Sequence, residues 1–506
     1  MRMECKMFLR FLQFLLYLFT YPYYALKRII NGPVNKEHIN DDIDIEKNTE
    51  RQEEIKEEKN NKYCAIIVII VLGILMIVNT TSDVIFIGFL PEIRNNSDIN
   101  TQKAWIFNGI CILLGIGIAS LFAFLWGAYS SIHIICGAVT ARTIFSTVSS
   151  LLPAKSFGFW TLLCLQSSLN SVRTSYITAA PLMIADLFDS RDRIKMQCIF
   201  YILYSIGCVV GTIFGPILIG FYGSLWRMAL RVDTVFDLFA LVVIFRMAKI
   251  PGVGGLVFNS KIDKKKRSLK LDILSMIFNR SLNFSVIGFG AASFATKGVF
   301  HWIPTLMERV NTEQQPNGIL GISLDHNMLY ELGKCLSVVI GIMLGTVICS
   351  NRRKANPRAD PKLCTIVLLL AVPLLYLSIF LIRINLIAAQ VLLFLSGICL
   401  SVNQVPINEI ILTTALPTRF GWAFSEKSTV ESVMADKGVK YLMQWIFERL
   451  NRARPYMSQY STEIVLMICS SVALIGVVLF VMTTKYIEED EKKVKQIMDT
   501  PNPVQP

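Results

Sequence analysis

Ten ionisable side chains stand inside long apolar runs of this 506-residue chain: Asp83, Arg142, Arg173, Asp233, Asp237, Lys297, His301, Glu331, Lys334 and Glu409. An ionisable group at hydrocarbon depth is costly, so it faces a partner, the interior of a helix bundle or a water-filled cavity. Asp233 and Asp237 are four residues apart and share one helix face, as do Lys297 and His301. Two readings stand side by side. Arg142, Asp233, Glu331, Lys334 and Glu409 suit ion pairs that hold a bundle together or gate it, or they reach the interface from span ends. Asp83, Arg173 and Lys297 lie deeper in their runs and suit a cavity. Arg173 and Lys297 would together hold an anionic head group, since guanidinium and phosphate match geometrically.

Other chemistries find no support. His38, His133, His301 and His326 lie far apart, and the 12 Cys are scattered singly, without the paired spacings of a zinc or disulfide framework. No glycine-rich phosphate loop precedes a helix, and no Ser-His-Asp set is suggested by spacing, so neither an enzyme, an ATP-driven pump nor a bound cofactor is expected. The net charge of +13 raises the question of nucleic acid. Its Lys and Arg concentrate in loops beside the apolar runs, which is the pattern of membrane orientation instead.

The elements that must position these groups are the runs themselves. Each is near the roughly 20 residues that cross a ~30 Å hydrocarbon core as a helix. With 53% apolar residues and a mean hydropathy of +0.51, the chain is an all-α polytopic membrane protein. Spans are expected at 63–90, 104–126, 132–152, 157–185, 198–222 and 229–248, then at 283–304, 328–350, 363–383, 386–414, 420–447 and 461–485. That divides the chain into a cytoplasmic N-terminal region (1–62) with an interfacial helix and a disordered tail, a six-helix half (63–248), a basic linker (249–282), a second six-helix half (283–485) and a cytoplasmic tail (486–506). The run 420–447 is heavily charged and spans only if packed inside the bundle; a helix lying on the membrane is the alternative. Basic residues at 191–195, 261–270 and 352–358 place one side of the bundle in the cytoplasm. Asn95-Asn96-Ser97 then falls outside and reads as a glycan acceptor. In the fifth span Gly207, Gly211, Gly215 and Pro216 form a small-residue face for close helix packing or sliding.

Several segments carry a family likeness. Tyr176-Ile177-Thr178-Ala179-Ala180-Pro181, then Ile184-Ala185-Asp186-Leu187-Phe188 with Arg191, Arg193 and Met196, resembles the fourth-to-fifth-span signature of the spinster family of the major facilitator superfamily. Trp226-Arg227-Met228-Ala229-Leu230-Arg231-Val232 is similar to the start of its sixth span. Asn356-Pro357-Arg358-Ala359-Asp360-Pro361 resembles its eighth-to-ninth loop, and Leu400-Ser401-Val402-Asn403 with Pro417-Thr418-Arg419 its tenth span. The likeness runs in order over residues 63 to 485. It implies a major facilitator fold of about twelve helices that moves lysophospholipids or sphingoid lipids by alternating access, in late endosomal, lysosomal or plasma membranes. Departures accompany it: the first-span carboxylate is shifted to Asp83, Trp126-Gly127-Ala128 stands where the superfamily has a charged loop, and Gln166 and Arg173 stand for the family's fourth-span Arg and Glu.

On this reading the pathway is lined by Asp83, Arg173, Asp237, Lys297 and Asn403, a small lipid and the surrounding membrane lipids are the partners expected, nucleic acid is not one, protein partners are left open, and repeat halves rock about a midplane site. A membrane scaffold or regulatory protein that keeps the fold without transport is the alternative, and a channel a distant third. The orientation is testable: protease added to intact cells should spare an epitope tag placed within 249–282, and cleavage there would overturn the topology.

Overall fold

A computed structural model of the chain describes residues 66–67, 69–82, 117, 131–151, 156–188, 190–222, 226–248, 278–313, 326–352, 356–416, 419–452 and 460–499. Asp83, the sequon, the N-terminal region to 62, most of 104–126 and residues 249–277 of the linker lie outside them, as do the side chains of Arg173 and Asp233. Among the described residues every regular element is a helix. In chain order these are α1 (Ile69–Ser82), α2 (Ser131–Leu151), α3 (Ser156–Leu187), α4 (Ser190–Tyr222) and α5 (Trp226–Ala248). There follow α6 (Arg280–Glu313), α7 (His326–Arg352), α8 (Ala359–Leu381), α9 (Leu386–Ser401), α10 (Gln404–Thr414) and α11 (Phe420–Glu431). A π-segment (Ser432–Met443) continues α11 into α12 (Gln444–Arg452), and α13 (Ser461–Asp499) closes the chain.

Charge is turned inward and hydrocarbon outward, as lipid solvent demands. On α5 the Asp237 side chain is 0% exposed, whereas Val235 and Phe239 are each 64% exposed. α2 packs on α3 and α5, α6 runs along α13, and α8 lies against α9 and α13. Contacts between the two groups of helices come from α4 on α7 and α10, and from α3 on α11. Five described segments are long and apolar enough to cross a membrane: His133–Leu151, Leu329–Asn351, Ala359–Leu381, Leu386–Thr414 and Ser461–Gln496.

Three boundaries differ from the hydropathy reading. Residues 191–195, expected as a loop, form the opening of α4, where Asp192 complements the helix N-terminus and pairs with Lys195 at 3.0 Å. The expected tail helixes on to Asp499, supported by Glu489–Lys493 and Glu491–Lys495 pairs, each 2.8 Å. This extension is docked: Arg358 reaches Glu488 at 2.7 Å, and Asp490 accepts from the Ser281 backbone N–H at 3.1 Å. The charged run from 420 is one continuous helical path to Arg452 through the π-segment. The span 386–414 is found as expected, and within it the helix is interrupted at Val402-Asn403, between α9 and α10.

The break has a local cause. Pro406 has no N–H to give to the carbonyl four residues back, which belongs to Val402, so the ladder is interrupted there. That carbonyl turns toward α7 at Gly345, where a methyl group would collide with the oxygen. The break and the glycine are therefore one device that lets α7 lie directly on the α9–α10 joint. Gly207 serves likewise between α4 and α1, where a Cβ would come within 2.7 Å of the Ile77 backbone. Gly345→Ala should accordingly lower the melting temperature of the purified protein, by an overpacking cost of about 1–3 kcal/mol. Gly333→Ala on the same helix, where a Cβ would meet open space, should not. Equal effects of the two changes would remove the close approach as the reason.

Candidate functional site

The two groups of helices are joined by a polar seam at one end of the bundle. Arg193, in the opening turn of α4, grips Glu409 of α10 with both prongs of its guanidinium: Nε donates to Oε1 at 3.0 Å and an Nη to Oε2 at 2.6 Å. Glu409 is 0% exposed and Arg193 15%. Such planar bidentate pairing is stronger and more directional than a single charged contact. Farther along α4, Cys198 lies beside Thr346 of α7. Beyond it the Asn408 amide donates to the Tyr201 hydroxyl at 2.8 Å, while Lys427 of α11 donates to the Asn408 carbonyl oxygen at 2.7 Å. All these contacts lie at the end where Asn279, preceding α6, donates to the Thr414 carbonyl at the end of α10. Arg383–Glu463 (2.5 Å) fastens α8 to the start of α13 at the opposite end.

Deeper in the second group, Lys297 of α6 lies between two carboxylates, Asp436 at 2.7 Å and Glu431 at 3.0 Å. The backbone explains how both reach it. Residues five apart on an α-helix point about 140° away from each other. In a π-helix the N–H of each residue bonds five residues back, so positions 431 and 436 stack on one face. The acidic pair is thus a product of the π-segment, and the cluster carries one net negative charge. Its members are only part-buried, with Lys297 32% exposed. Tyr204 of α4 is an electrostatic neighbour of Lys297, and Lys440 one of His301.

The other residues singled out by sequence are placed as follows. Arg142 of α2 and Asp237 of α5 meet at 3.4 Å, 1% and 0% exposed, inside the first group. Glu331 and Lys334 pair with each other on α7, and the Lys334 ammonium lies 5.7 Å from the Phe300 ring centroid. Asn403 sits at the α9–α10 break, 1% exposed; its amide donates to the Leu400 carbonyl at 3.3 Å, and its own oxygen has no partner among the described residues. Sequence reasoning overlooked Arg193 and Lys427 as site residues. Arg193 was hidden as a loop charge and Lys427 as part of the charge load on 420–447, and nothing local in the sequence marks either as buried. Among the described residues no set of His, Cys, Asp or Glu converges as a metal site.

An all-α bundle with charges turned inward, two helical groups and an ion pair clasping them at one end is the architecture of a polytopic membrane carrier. The chain belongs to the Major Facilitator Superfamily, which it matches over residues 72–425, and within it the chain is of the spinster type. It is 28% identical over 439 residues to protein spinster homolog 1 of Xenopus laevis, covering 85% of this chain and 82% of the relative. It is 25% identical over 424 residues to the sphingosine-1-phosphate transporter SPNS2 of Xenopus tropicalis, covering 82% and 81%. A solved bacterial homolog to the human lysosomal transporter spinster, inward-facing and unoccupied, shares the fold with a TM-score of 0.56 at 15% identity, over 84% of this chain and 98% of that one. It is an integral multi-pass membrane protein.

Loss of one partner from a buried pair costs about 3–5 kcal/mol, because the other charge is stranded. Glu409→Gln should therefore weaken the seam, and the neighbouring Cys198 thiol, buried at 8% exposure, should become accessible to a permeant maleimide in a background lacking the other cysteines. The exchange Arg193→Glu with Glu409→Arg should return Cys198 to protection. Unchanged labelling in Glu409→Gln would show that the pair does not hold the seam shut.

Proposed function

We propose that the chain is a secondary carrier that moves a single-chain lipid with an anionic or zwitterionic head group across its membrane by alternating access. The carrying observation is the polar seam: a bidentate charge pair and a relay of amide, hydroxyl and ammonium groups link one helical group to the other. A fold kept only as a scaffold would be better served by apolar packing there, since a buried ion pair is weak in stability terms and is retained where a switch is useful. The expected halves, 63–248 and 283–485 joined by 249–282, move as units in this reading. The seam closes the cytoplasmic end, and opening it requires Arg193 to leave Glu409. Lys297 with Glu431 and Asp436, Asn403, and the sequence-derived Asp83 and Arg173 line the path, while Arg142 and Asp237 brace the first half from inside. Similarity to a sphingosine-1-phosphate transporter supports a lipid cargo. Similarity in fold to a bacterial homolog of a human lysosomal transporter supports a late endosomal or lysosomal membrane alongside the plasma membrane. No step is covalent.

The reading is tested in proteoliposomes with radiolabelled lysophosphatidylcholine and sphingosine-1-phosphate. Flux should saturate with substrate, as for a carrier. In a cysteine-free background restored at Cys198, Thr346→Cys creates a disulfide partner across the seam. Oxidation should abolish flux and reductant should restore it. Flux that persists in the oxidised protein would overturn alternating access; absence of flux for both lipids in the reduced protein would favour the scaffold.

A further inference from the structure

Lys427 stands apart from the other inward cations. Arg142, Arg193, Lys297, Lys334 and Arg383 each reach a carboxylate. Lys427 is only 5% exposed, yet among the described residues no carboxylate pairs with it. Its partners are the Asn408 carbonyl oxygen at 2.7 Å and two rings, Phe289 at 4.6 Å and Tyr201 at 5.7 Å from the ammonium. An amide and the faces of two rings favour a cation without neutralising it, and an ammonium has three protons to donate, of which the amide takes one. The Tyr201 hydroxyl accepts from the Asn408 amide, so its own proton is also left to give. Two ammonium protons and a phenolic proton thus converge without an acceptor among the described residues.

Position adds to chemistry. Lys427, Asn408 and Phe289 belong to the second half and Tyr201 to the first, so the group straddles the seam. Tyr201 lies about 12 Å along α4 from Arg193, which puts the donors on the inner side of the clasp. One helical turn beyond Lys427, on the same face of α11, is Glu431, and one turn beyond Tyr201 on α4 is Tyr204, the two residues that neighbour Lys297. A cationic donor cluster and a cluster of net negative charge therefore succeed one another along the seam.

Resting on the carrier reading above, we infer that Lys427, with Asn408 and Tyr201 positioning it, is the anchor for the phosphate of the transported lipid head, and that the Glu431–Asp436–Lys297 cluster receives the head's ammonium. The preferred ligand then bears both charges on a single-chain lipid. A phosphate seated there touches both halves and stabilises the closed seam; parting Arg193 from Glu409 draws Tyr201 away from Asn408 and dismantles the site, which releases the head toward the cytoplasm.

The test is equilibrium binding to the full chain in nanodiscs of three lipids with one acyl chain in common: lysophosphatidylcholine, with both charges, lysophosphatidic acid, with the phosphate alone, and monoacylglycerol, with neither. Wild type should bind them in that order. Lys427→Gln should weaken both phosphate lipids by about tenfold or more, the loss of a charged hydrogen bond, and leave monoacylglycerol unchanged, while Lys427→Arg should stay within a few-fold of wild type. Asp436→Asn should weaken the choline lipid more than the phosphatidic one. Tyr201→Phe, which removes one hydroxyl and keeps the ring, should weaken phosphate binding even if Lys427→Gln does not fold. Wild-type affinity of Lys427→Gln for lysophosphatidic acid, or of Tyr201→Phe where the former fails to fold, would overturn the anchor. Failure of the wild type to bind any of the three would instead overturn the lipid-carrier reading on which it rests.

Discussion

A charge buried in a bundle surrounded by hydrocarbon has no water to fall back on, and the arrangement of polar groups in this protein follows from that constraint. Arg142 closes on Asp237 within the first half, and Arg193 closes on Glu409 between the halves. The chemistry of the two contacts is alike but their mechanical meaning differs. In the proposed carrier reading the internal pair joins helices that travel together and remains closed throughout a cycle. In the same reading the pair across the seam joins helices that separate, so its energy is part of the conformational equilibrium. A bidentate contact suits that task because it is short-ranged and directional: it is nearly all present or nearly all lost.

The same constraint explains why the irregular backbone lies where it does. Helices in lipid normally keep every N–H and C=O in the ladder, and departures are tolerated where the freed groups face protein or a cavity. Two occur here on helices of the second group. The break at Val402-Asn403, forced by Pro406, lets α7 approach through Gly345 and leaves the Asn403 oxygen buried at the joint. The π-segment rotates Asp436 onto the face of Glu431, which produces a two-carboxylate grip on Lys297 that an α-helix would not provide. Both irregularities change which side chains point inward without changing the length of the span by much. The charge load of 420–447 becomes intelligible on these terms: Lys427, Glu431 and Asp436 point into the bundle, whereas Lys440 is exposed.

How far the sequence could be read depended on range. Apolar runs located the helices, because hydropathy over a span-length window is a local property, and the motif segments from 176 to 419 pointed to the spinster type. Charge inside an apolar run also singled out Arg142, Asp237, Lys297 and Glu409 as residues needing an explanation. Partners were another matter, since Arg193 and Glu409 are separated by 216 positions and nothing local links them. The opening of α4 was misread as a loop because five residues of mixed charge resemble an interfacial connection; burial of Arg193 against α10 is a tertiary fact. The π-segment escaped for a related reason. No residue type specifies it, and its register is chosen by the salt bridges it makes possible. Lys427 was hidden among six charges in one run, and only the packing of Phe289, Tyr201 and Asn408 around it distinguishes it from its neighbours.

A carrier needs its empty and loaded forms to differ in which end they prefer to open, and differential binding is the only way a ligand can shift that balance. Lys427 lacks a carboxylate partner among the described residues, where the buried cation is met by an amide and two rings. In the proposed reading, parting the seam admits water to that ammonium and so favours the open form, in opposition to the Arg193–Glu409 clasp. A phosphate bound as inferred above would reverse the sign, because the closed seam would then enclose a matched ion pair with further hydrogen bonds. The clasp alone would hold the protein shut, and the lone cation alone would hold it open. Placed next to each other on α10 through Asn408 and Glu409, the two opposing contributions can nearly cancel, which leaves the head group of the cargo to decide the conformation.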